Sequence, residues 1–317
     1  CGGQSTEHAV SRMSCVNIYK NCDKSKYDIK VAGITKEGEW YDLVSTDFSS
    51  DNWLEGATKI NDHFTFLKSF DVVFPVLHGQ FGEDGTIQGL LEMAQVPYVG
   101  CRVMASCTAM DKIYAKKLFD QANIPQVPSL YVKKRYDDKL VVVDNEGRES
   151  FNVEMEIYTH LGFPCFVKAS RSGSSVGCYK VNTLTDLLPK LHEAASYDRH
   201  VVVEKAINAT ELECAVIGND DISASRVGQI LPHGEFYTYE SKYEDEESKT
   251  CIPALVDQEI QDKIREYALK VFKAVDGHGL SRVDFFLDKK SNQIYLNEIN
   301  TLPGFTKISM YPQLMND

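Results

Sequence analysis

Near its C-terminal end the chain runs Arg282-Val283-Asp284-Phe285-Phe286, crosses the polar turn Lys289-Lys290-Ser291-Asn292, and returns as Ile294-Tyr295-Leu296-Asn297-Glu298-Ile299-Asn300. The pattern predicts two strands with ionic side chains set into them. Residues two apart in a strand share a face, so Arg282 projects with Asp284, and Glu298 with Asn300, from segments otherwise rich in Ile, Leu, Phe and Val. Buried carboxylates are costly unless paired or metal-bound. Asp, Glu and Asn offer hard oxygen ligands, which suit Mg²⁺ rather than zinc, and Mg²⁺ usually bridges carboxylates to substrate phosphates. A phosphate-handling enzyme fits this pattern; so does a surface hairpin with one polar face. The next residues, Thr301-Leu302-Pro303-Gly304-Phe305-Thr306, leave through a Pro-Gly turn that can present the Gly304 amide toward the same face, a donor suited to a developing oxyanion.

The chain has 317 residues, 43% of them hydrophobic, and no apolar run long enough to span a bilayer, which fits a soluble protein of two or three domains. A formal charge of -12 argues against a general nucleic-acid binder, since backbone phosphates need clustered Lys and Arg, while a local basic pocket for ATP stays possible. Nine scattered cysteines without a Cys-x-x-Cys pair read as reduced thiols of a cytosolic protein, and no signal peptide or lipidation motif is present. The opening Cys1-Gly2-Gly3-Gln4-Ser5 is a turn that normally follows a strand, so a strand is expected to precede it. Residues 311–317 show no obvious closing helix, and lengths between motifs are treated as lower bounds.

Residues 1–103 alternate helical and strand signals: a helix after Gly3, a strand over Tyr27–Ile34 and a buried strand over Phe70–Leu77, an α/β pattern with a parallel sheet. A helix runs from Met110-Asp111-Lys112 to Ala122; Pro125 and Pro128 break it, and a strand starting at Leu130 opens a second domain. Val201–Lys205 reads as the strand leaving that domain. Residues 207–317 supply further strands, the polar hairpin and a long helix near Gln258–Val275.

Two loops suit phosphate. Lys168-Ala169-Ser170-Arg171-Ser172-Gly173-Ser174-Ser175-Val176-Gly177 follows an apolar strand and precedes another; its small residues let backbone amides approach phosphate oxygens, with a Lys at the entry. It lacks the order of a Walker A loop and, taken alone, fits a flexible hairpin turn equally. His78-Gly79-Gln80-Phe81-Gly82-Glu83-Asp84-Gly85-Thr86 follows the buried strand and leads into a helix, a position that favours ligands in α/β sheets. A tight connection with Asp84 or Thr86 capping the helix fits the same residues.

Together the segments resemble the ATP-grasp superfamily and, within it, the D-alanine:D-alanine ligases. The resemblance rests on Gly2 through His8, His78-Gly79 with Gly82 through Thr86, Met110-Asp111-Lys112, Lys168 through Gly177, Glu204 with Glu211, Lys242-Tyr243, Arg282-Val283-Asp284 and Asn297 through Ser309, in family order over nearly the whole chain. It implies an α/β (α+β) three-domain ATP-grasp fold: an N-terminal parallel-sheet substrate domain at 1–103, a central lid domain at 104–206 and a catalytic, metal-binding domain at 207–317, with ATP between the last two. The implied ATP contacts are Lys112, Lys168, Ser175, Glu204, Lys205, Glu211 and Lys242. Asp284, Glu298 and Asn300 match the ligands of two Mg²⁺ ions, for which the resemblance allows Mn²⁺ to substitute. Glu7 matches the acid that anchors the first D-alanine's ammonium, and His78 the residue that senses its carboxylate. Ser174 and Tyr243 complete a Glu-Ser-Tyr network linking the lid to the ω-loop, about 236–249. Arg282 and the Gly304 amide match the oxyanion donors; Ser309 and Met310 match the holders of the second D-alanine's carboxylate.

Ala169 stands where a proline is usual, Ala9 where a Glu is common, and residues 44–69 are shorter than the usual connection. The resemblance implies ATP-dependent joining of two D-alanines through a D-alanyl phosphate, for peptidoglycan precursors, by a cytoplasmic homodimer with no nucleic-acid or membrane partner. Either the Ser174 and Tyr243 network or the substrate phosphate could take the attacking amine's proton. A D-serine ligase, less readily a D-lactate ligase, remains open, as does a catalytically silent ATP-binding regulator.

Overall fold

The computed structural model describes residues 1–174, 176–231 and 249–317. Helix α1 spans His8–Asn21 and is followed by the short strands β1 (Ala32–Ile34), β2 (Trp40–Asp42) and β3 (Thr58–Lys59), then α2 (His63–Leu67) and α3 (Thr86–Ala94). The three strands pair antiparallel. This corrects the parallel sheet expected for residues 1–103: parallel pairing there survives only as the single bridges Gly2–Ile34 and Val73–Tyr98. The expected strand over Tyr27–Ile34 shrinks to Ala32–Ile34. Phe70–Leu77 forms no ladder, because the Val76 and Leu77 amides bond back to Phe74 and Pro75 carbonyls two residues away and Pro75 has no amide to give.

Helices α4 (Val103–Met110) and α5 (Lys112–Gln121) lead into β4 (Ser129–Lys134), β5 (Leu140–Val143), β6 (Glu149–Ser150), α6 (Val153–His160), β7 (Cys165–Ala169), β8 (Cys178–Val181), α7 (Leu184–Tyr197) and β9 (His200–Lys205). The strands form one sheet in the order β6-β5-β4-β9-β7-β8, antiparallel throughout. In α7 Leu187, Leu191, Ala194 and Ala195 recur at helical spacing and bury against this sheet with Val167, Val181, Val201 and Val203.

The last sheet holds β10 (Ala209–Gly218), β11 (Ser223–Leu231), β12 (Lys249–Cys251), β13 (Gly279–Asp288) and β14 (Ile294–Asn300), in the order β12-β11-β10-β13-β14. Helix α8 (Gln258–Ala274) covers one face with Ile264, Ala268, Val271 and Phe272 against Leu212, Cys214, Val283, Phe285 and Leu296. The chain then closes with α9 (Met310–Asn316), a helix not foreseen in the sequence. Pro312 reads as a breaker but falls in the first turn, where its missing N–H costs nothing, and Met310, Tyr311 and Leu314 pack against Ala215 and Ile230. All nine cysteines are unpaired. Among the described residues no helix is long and apolar enough to cross a membrane.

The burial contrast along β10 gives a direct test. Leu212 is fully buried while Ile217 is 40% exposed. Leu212→Ala should lower the unfolding free energy by about 2–5 kcal/mol, against about 1 kcal/mol or less for Ile217→Ala, as read from urea midpoints at unchanged slope.

Candidate active site

The polar hairpin is the floor of the site. β13 pairs β14 with Arg282 opposite Asn300 and Asp284 opposite Glu298, and β10 on the other side places Glu213 opposite Asp284. A bulge after Asp284 leaves Asn297 unmatched and keeps these polar residues on one face while Phe285 and Leu296 turn to the core. Arg282 donates from Nε to Asp284 Oδ1 and from Nη2 to Asp284 Oδ2, both at 2.7 Å, and Asn300 donates its amide to Asp284 Oδ2 at 2.9 Å. Glu213 Oε2 lies 2.7 Å from Arg282 Nε. Alternation places Glu211 on the same face of β10 as Glu213.

Lys112 is set by its neighbour. The Asp111 carboxylate caps α5 by accepting the Ile113 amide at 3.0 Å and the Ser170 hydroxyl at 2.7 Å, tying the helix start to the lid loop. Lys112 Nζ then donates to the Ser172 carbonyl at 2.7 Å. One turn on, Lys116 meets Glu204 Oε1 at 2.7 Å, while Lys168 from β7 donates to Glu204 Oε2 at 2.5 Å. Burial pushes the Glu204 carboxyl up, but Lys116 and Lys168 outweigh it and hold it well below the usual carboxylate range. Burial likewise works against the Lys168 charge, and Glu204 overrides it. Lys205, the last residue of β9, is exposed.

From the N-terminal side, Ser174 of the lid loop donates to Glu7 Oε1 at 2.5 Å across 167 residues of sequence. Gly79 faces the same carboxylate: its φ of +69° is left-handed, and a Cβ there would stand 2.6 Å from Glu7 Oε2. His78 is buried, with Nδ1 3.1 Å from the Leu302 carbonyl and Nε2 3.0 Å from the Ser14 hydroxyl. A carbonyl can only accept, so Nδ1 carries the hydrogen and the Ser14 hydroxyl donates to Nε2; Ser14 Oγ accepts the Phe305 amide at 3.0 Å. Both ring nitrogens thus bind α1 to the 301–306 turn. Burial lowers the His78 pKa and raises that of Glu83, each shift disfavouring the charged form, and the two side chains approach to 4.0 Å.

A cavity of about 110 Å³ brings together Glu7, His78, Lys112, Ser174, Arg282, Glu298, Asn300, Gly304, Ser309 and Met310. Ser309 Oγ accepts the Thr306 amide at 3.0 Å and heads α9. Lys168, Glu204, Lys205, Glu211 and Asp284 are not among the residues lining this cavity. A larger space of about 1140 Å³ opens beside it between α4, α5 and the residues at 79–86 and 171–173, sharing Glu7, Met110, Ser172 and Gly173. Ser175, Lys242 and Tyr243, with most of the expected ω-loop, lie outside the described residues.

No group of three or more His, Cys, Asp or Glu suited to a metal occurs among the described residues. Asp284, Glu298 and Asn300 instead offer two carboxylates and an amide oxygen on one face, a hard donor set that fits Mg²⁺ when substrate phosphates complete its shell. Glu213 and Glu83 line the smaller cavity and Lys116 and Ser14 bond to Glu204 and His78, and none of the four was given a role in the sequence. Two had a signal: Glu213 follows Glu211 by one strand period, and Lys116 follows Lys112 by one helical turn.

Family models for the D-ala D-ala ligase N-terminus and C-terminus match residues 1–101 and 118–317. The chain belongs to the D-alanine–D-alanine ligase family. It is 46% identical to the D-alanine--D-alanine ligase of Acetivibrio thermocellus, over 100% of this chain and 89% of the relative. To that of Clostridium acetobutylicum it is 45% identical, over 99% and 90%. Its fold matches the crystal structure of the VanG D-Ala:D-Ser ligase from Enterococcus faecalis with a TM-score of 0.85 at 36% identity, covering 99% of this chain and 92% of that one. The D-alanine-D-alanine ligase from Coxiella burnetii gives a TM-score of 0.85 at 35% identity, covering 100% and 87%. These ligases share the ATP-grasp fold expected from the motifs.

The Glu204 cluster sets a pH dependence. A carboxyl depressed in the folded state contributes stability above its unfolded pKa, ~4.3, and loses it as pH falls. Glu204→Gln should cost about 3 kcal/mol or more near neutral pH by leaving two lysines uncompensated. In urea titrations the gap between wild type and variant should narrow progressively as pH falls below about 4; a gap that stays constant down to pH 2 would mean that the Glu204 carboxyl titrates alike in the folded and unfolded chain and is not held down by the two lysines.

Proposed function

We propose that the chain joins two D-alanines to D-alanyl-D-alanine at the expense of ATP, for peptidoglycan precursors. The observation that carries this reading is the Ser174–Glu7 hydrogen bond, which closes the lid loop onto an N-terminal acid above the Arg282, Asp284, Glu298 and Asn300 face. A free carboxylate does not react with an amine, so the first D-alanine is activated as an acyl phosphate before the second attacks. Glu7 holds the first ammonium. Lys112 and Lys168 neutralise charge on the transferring phosphoryl group, and Lys116 keeps Glu204 ionised beside them. Glu204, Lys205 and Glu211 take the nucleoside, with Ser175 and Lys242 completing the ATP contacts.

Asp284, Glu298 and Asn300 would hold two Mg²⁺ ions, or Mn²⁺ in their place, which would supply neutralisation of phosphate charge. Arg282 and the Gly304 amide face the tetrahedral oxyanion. Ser309 and Met310 bracket the second substrate's carboxylate. His78, with both ring nitrogens engaged, orients the 301–306 turn, and Tyr243 joins the Ser174 network over the site. Residues 1–103, 104–206 and 207–317 act as the substrate, lid and catalytic domains of a cytoplasmic homodimer. D-serine as second substrate is the alternative, favoured by the likeness to the VanG ligase.

The test is D-alanine-dependent phosphate release from ATP with Mg²⁺, the products separated by mass and D-serine and D-lactate offered in competition. Predominant D-alanyl-D-alanine is expected, and Glu7→Gln should lower kcat/KM for D-alanine about a hundredfold with the KM for ATP little changed. Release only with another acceptor would overturn the substrate; none at all would leave a nucleotide-binding regulator.

A further inference from the structure

Arg282 stands between two carboxylates, and the geometry favours one of them. Its Nε carries a single hydrogen, aimed at Asp284 Oδ1 at 2.7 Å, and Nη2 donates to the other oxygen of the same carboxylate. Glu213 Oε2 lies 2.7 Å from that same Nε. One hydrogen cannot serve two acceptors fully. Glu213 is 6% exposed and is fixed by register: Glu213, Asp284 and Glu298 form one row across β10, β13 and β14, while Ala215, a residue too small to compete, stands opposite Arg282.

Arg282 and a divalent cation would compete for the same two oxygens, since Asp284 is both the arginine's partner and a metal ligand in the function proposed above. Released from Asp284 with nothing to receive it, a buried guanidinium would swing away or repel the metal. Glu213 is already in contact with the shared nitrogen. We propose that Glu213 is a positioning residue that takes over the Arg282 guanidinium when Asp284 turns to the cation, so that metal and arginine occupy the site together. The proposal rests on the reading of Asp284 as a metal ligand and deepens it. Proton count and strand positions do not change; the Nε–H turns from one carboxylate to the other.

The test is Mn²⁺ affinity of the full chain with a non-hydrolysable ATP analogue, read by the paramagnetic resonance of bound and free Mn²⁺. Glu213→Gln should weaken Mn²⁺ binding about tenfold or more, and Glu213→Asp, which keeps the charge on a shorter arm, by less. In an Arg282→Met background the competitor is gone, so Glu213→Gln should shift the affinity by less than about twofold. An undiminished loss in that background would show that Glu213 acts on the cation itself and overturn the proposal. Unchanged affinity in Glu213→Gln, with only a lower melting temperature, would overturn it as well. If Glu213→Gln does not fold, Glu213→Asp with and without Arg282→Met decides by the same coupling. Asp284→Asn with unchanged Mn²⁺ affinity would sink the metal-ligand reading itself, a result separable from failure of the Glu213 proposal.

Discussion

The site depends on the register between β10, β13 and β14, which lines up Glu213, Asp284 and Glu298 in a single row with Arg282 and Asn300 in the next. Like charges on neighbouring strands repel at this spacing, so such a row is tolerable only when cations answer it. Arg282 supplies one. The other face of the same strands is closed by α8, where Leu212, Val283, Phe285 and Leu296 make an apolar core. The bulge at Asn297 is what lets β14 serve both faces, since one residue of slip would otherwise send Glu298 and Asn300 into that core.

Around this floor the remaining groups are held by contacts between segments distant in sequence. Glu204 gathers Lys116 and Lys168 from a helix and a neighbouring strand. Asp111 joins the start of α5 to Ser170, and Ser174 reaches Glu7 from the lid loop. Ser14 and His78 couple α1 to the 301–306 turn through neutral hydrogen bonds. Breaking any of these would leave a buried polar group without its partner, which is why the loop carrying Ser174, Glu7 and the polar face of β13 and β14 keep a fixed relation.

Much of this was legible in the residues. Alternating Arg282 with Asp284 and Glu298 with Asn300, around apolar neighbours, gave the hairpin and its polar face, and the helical pattern from Met110 to Ala122 gave the helix that carries Lys112, though not its Asp111 cap. The misreadings have physical causes. Phe70–Leu77 is apolar enough for a strand, yet Pro75 and local turns remove the donors that a ladder needs. β2 pairs antiparallel with β1 because the short connection 35–39 lets the chain fold straight back, and an α/β rhythm in the sequence carries no information about which edges meet. Pro312 concealed a helix by sitting in its first turn.

By itself the sequence determined the chemistry available: hard oxygen donors at strand spacing, a glycine-rich loop opened by a lysine, an acid at the head of the first helix, and a motif order that names the family. Strand and helix periods are local, so these features could be read without knowing the fold. What only the tertiary structure decided is which charge answers which. Glu204 lies between two lysines, Glu213 beside Arg282, and both nitrogens of His78 are spent on internal bonds. Such pairings depend on register across strands and on the packing of segments tens to hundreds of residues apart, and no spacing within the chain encodes them.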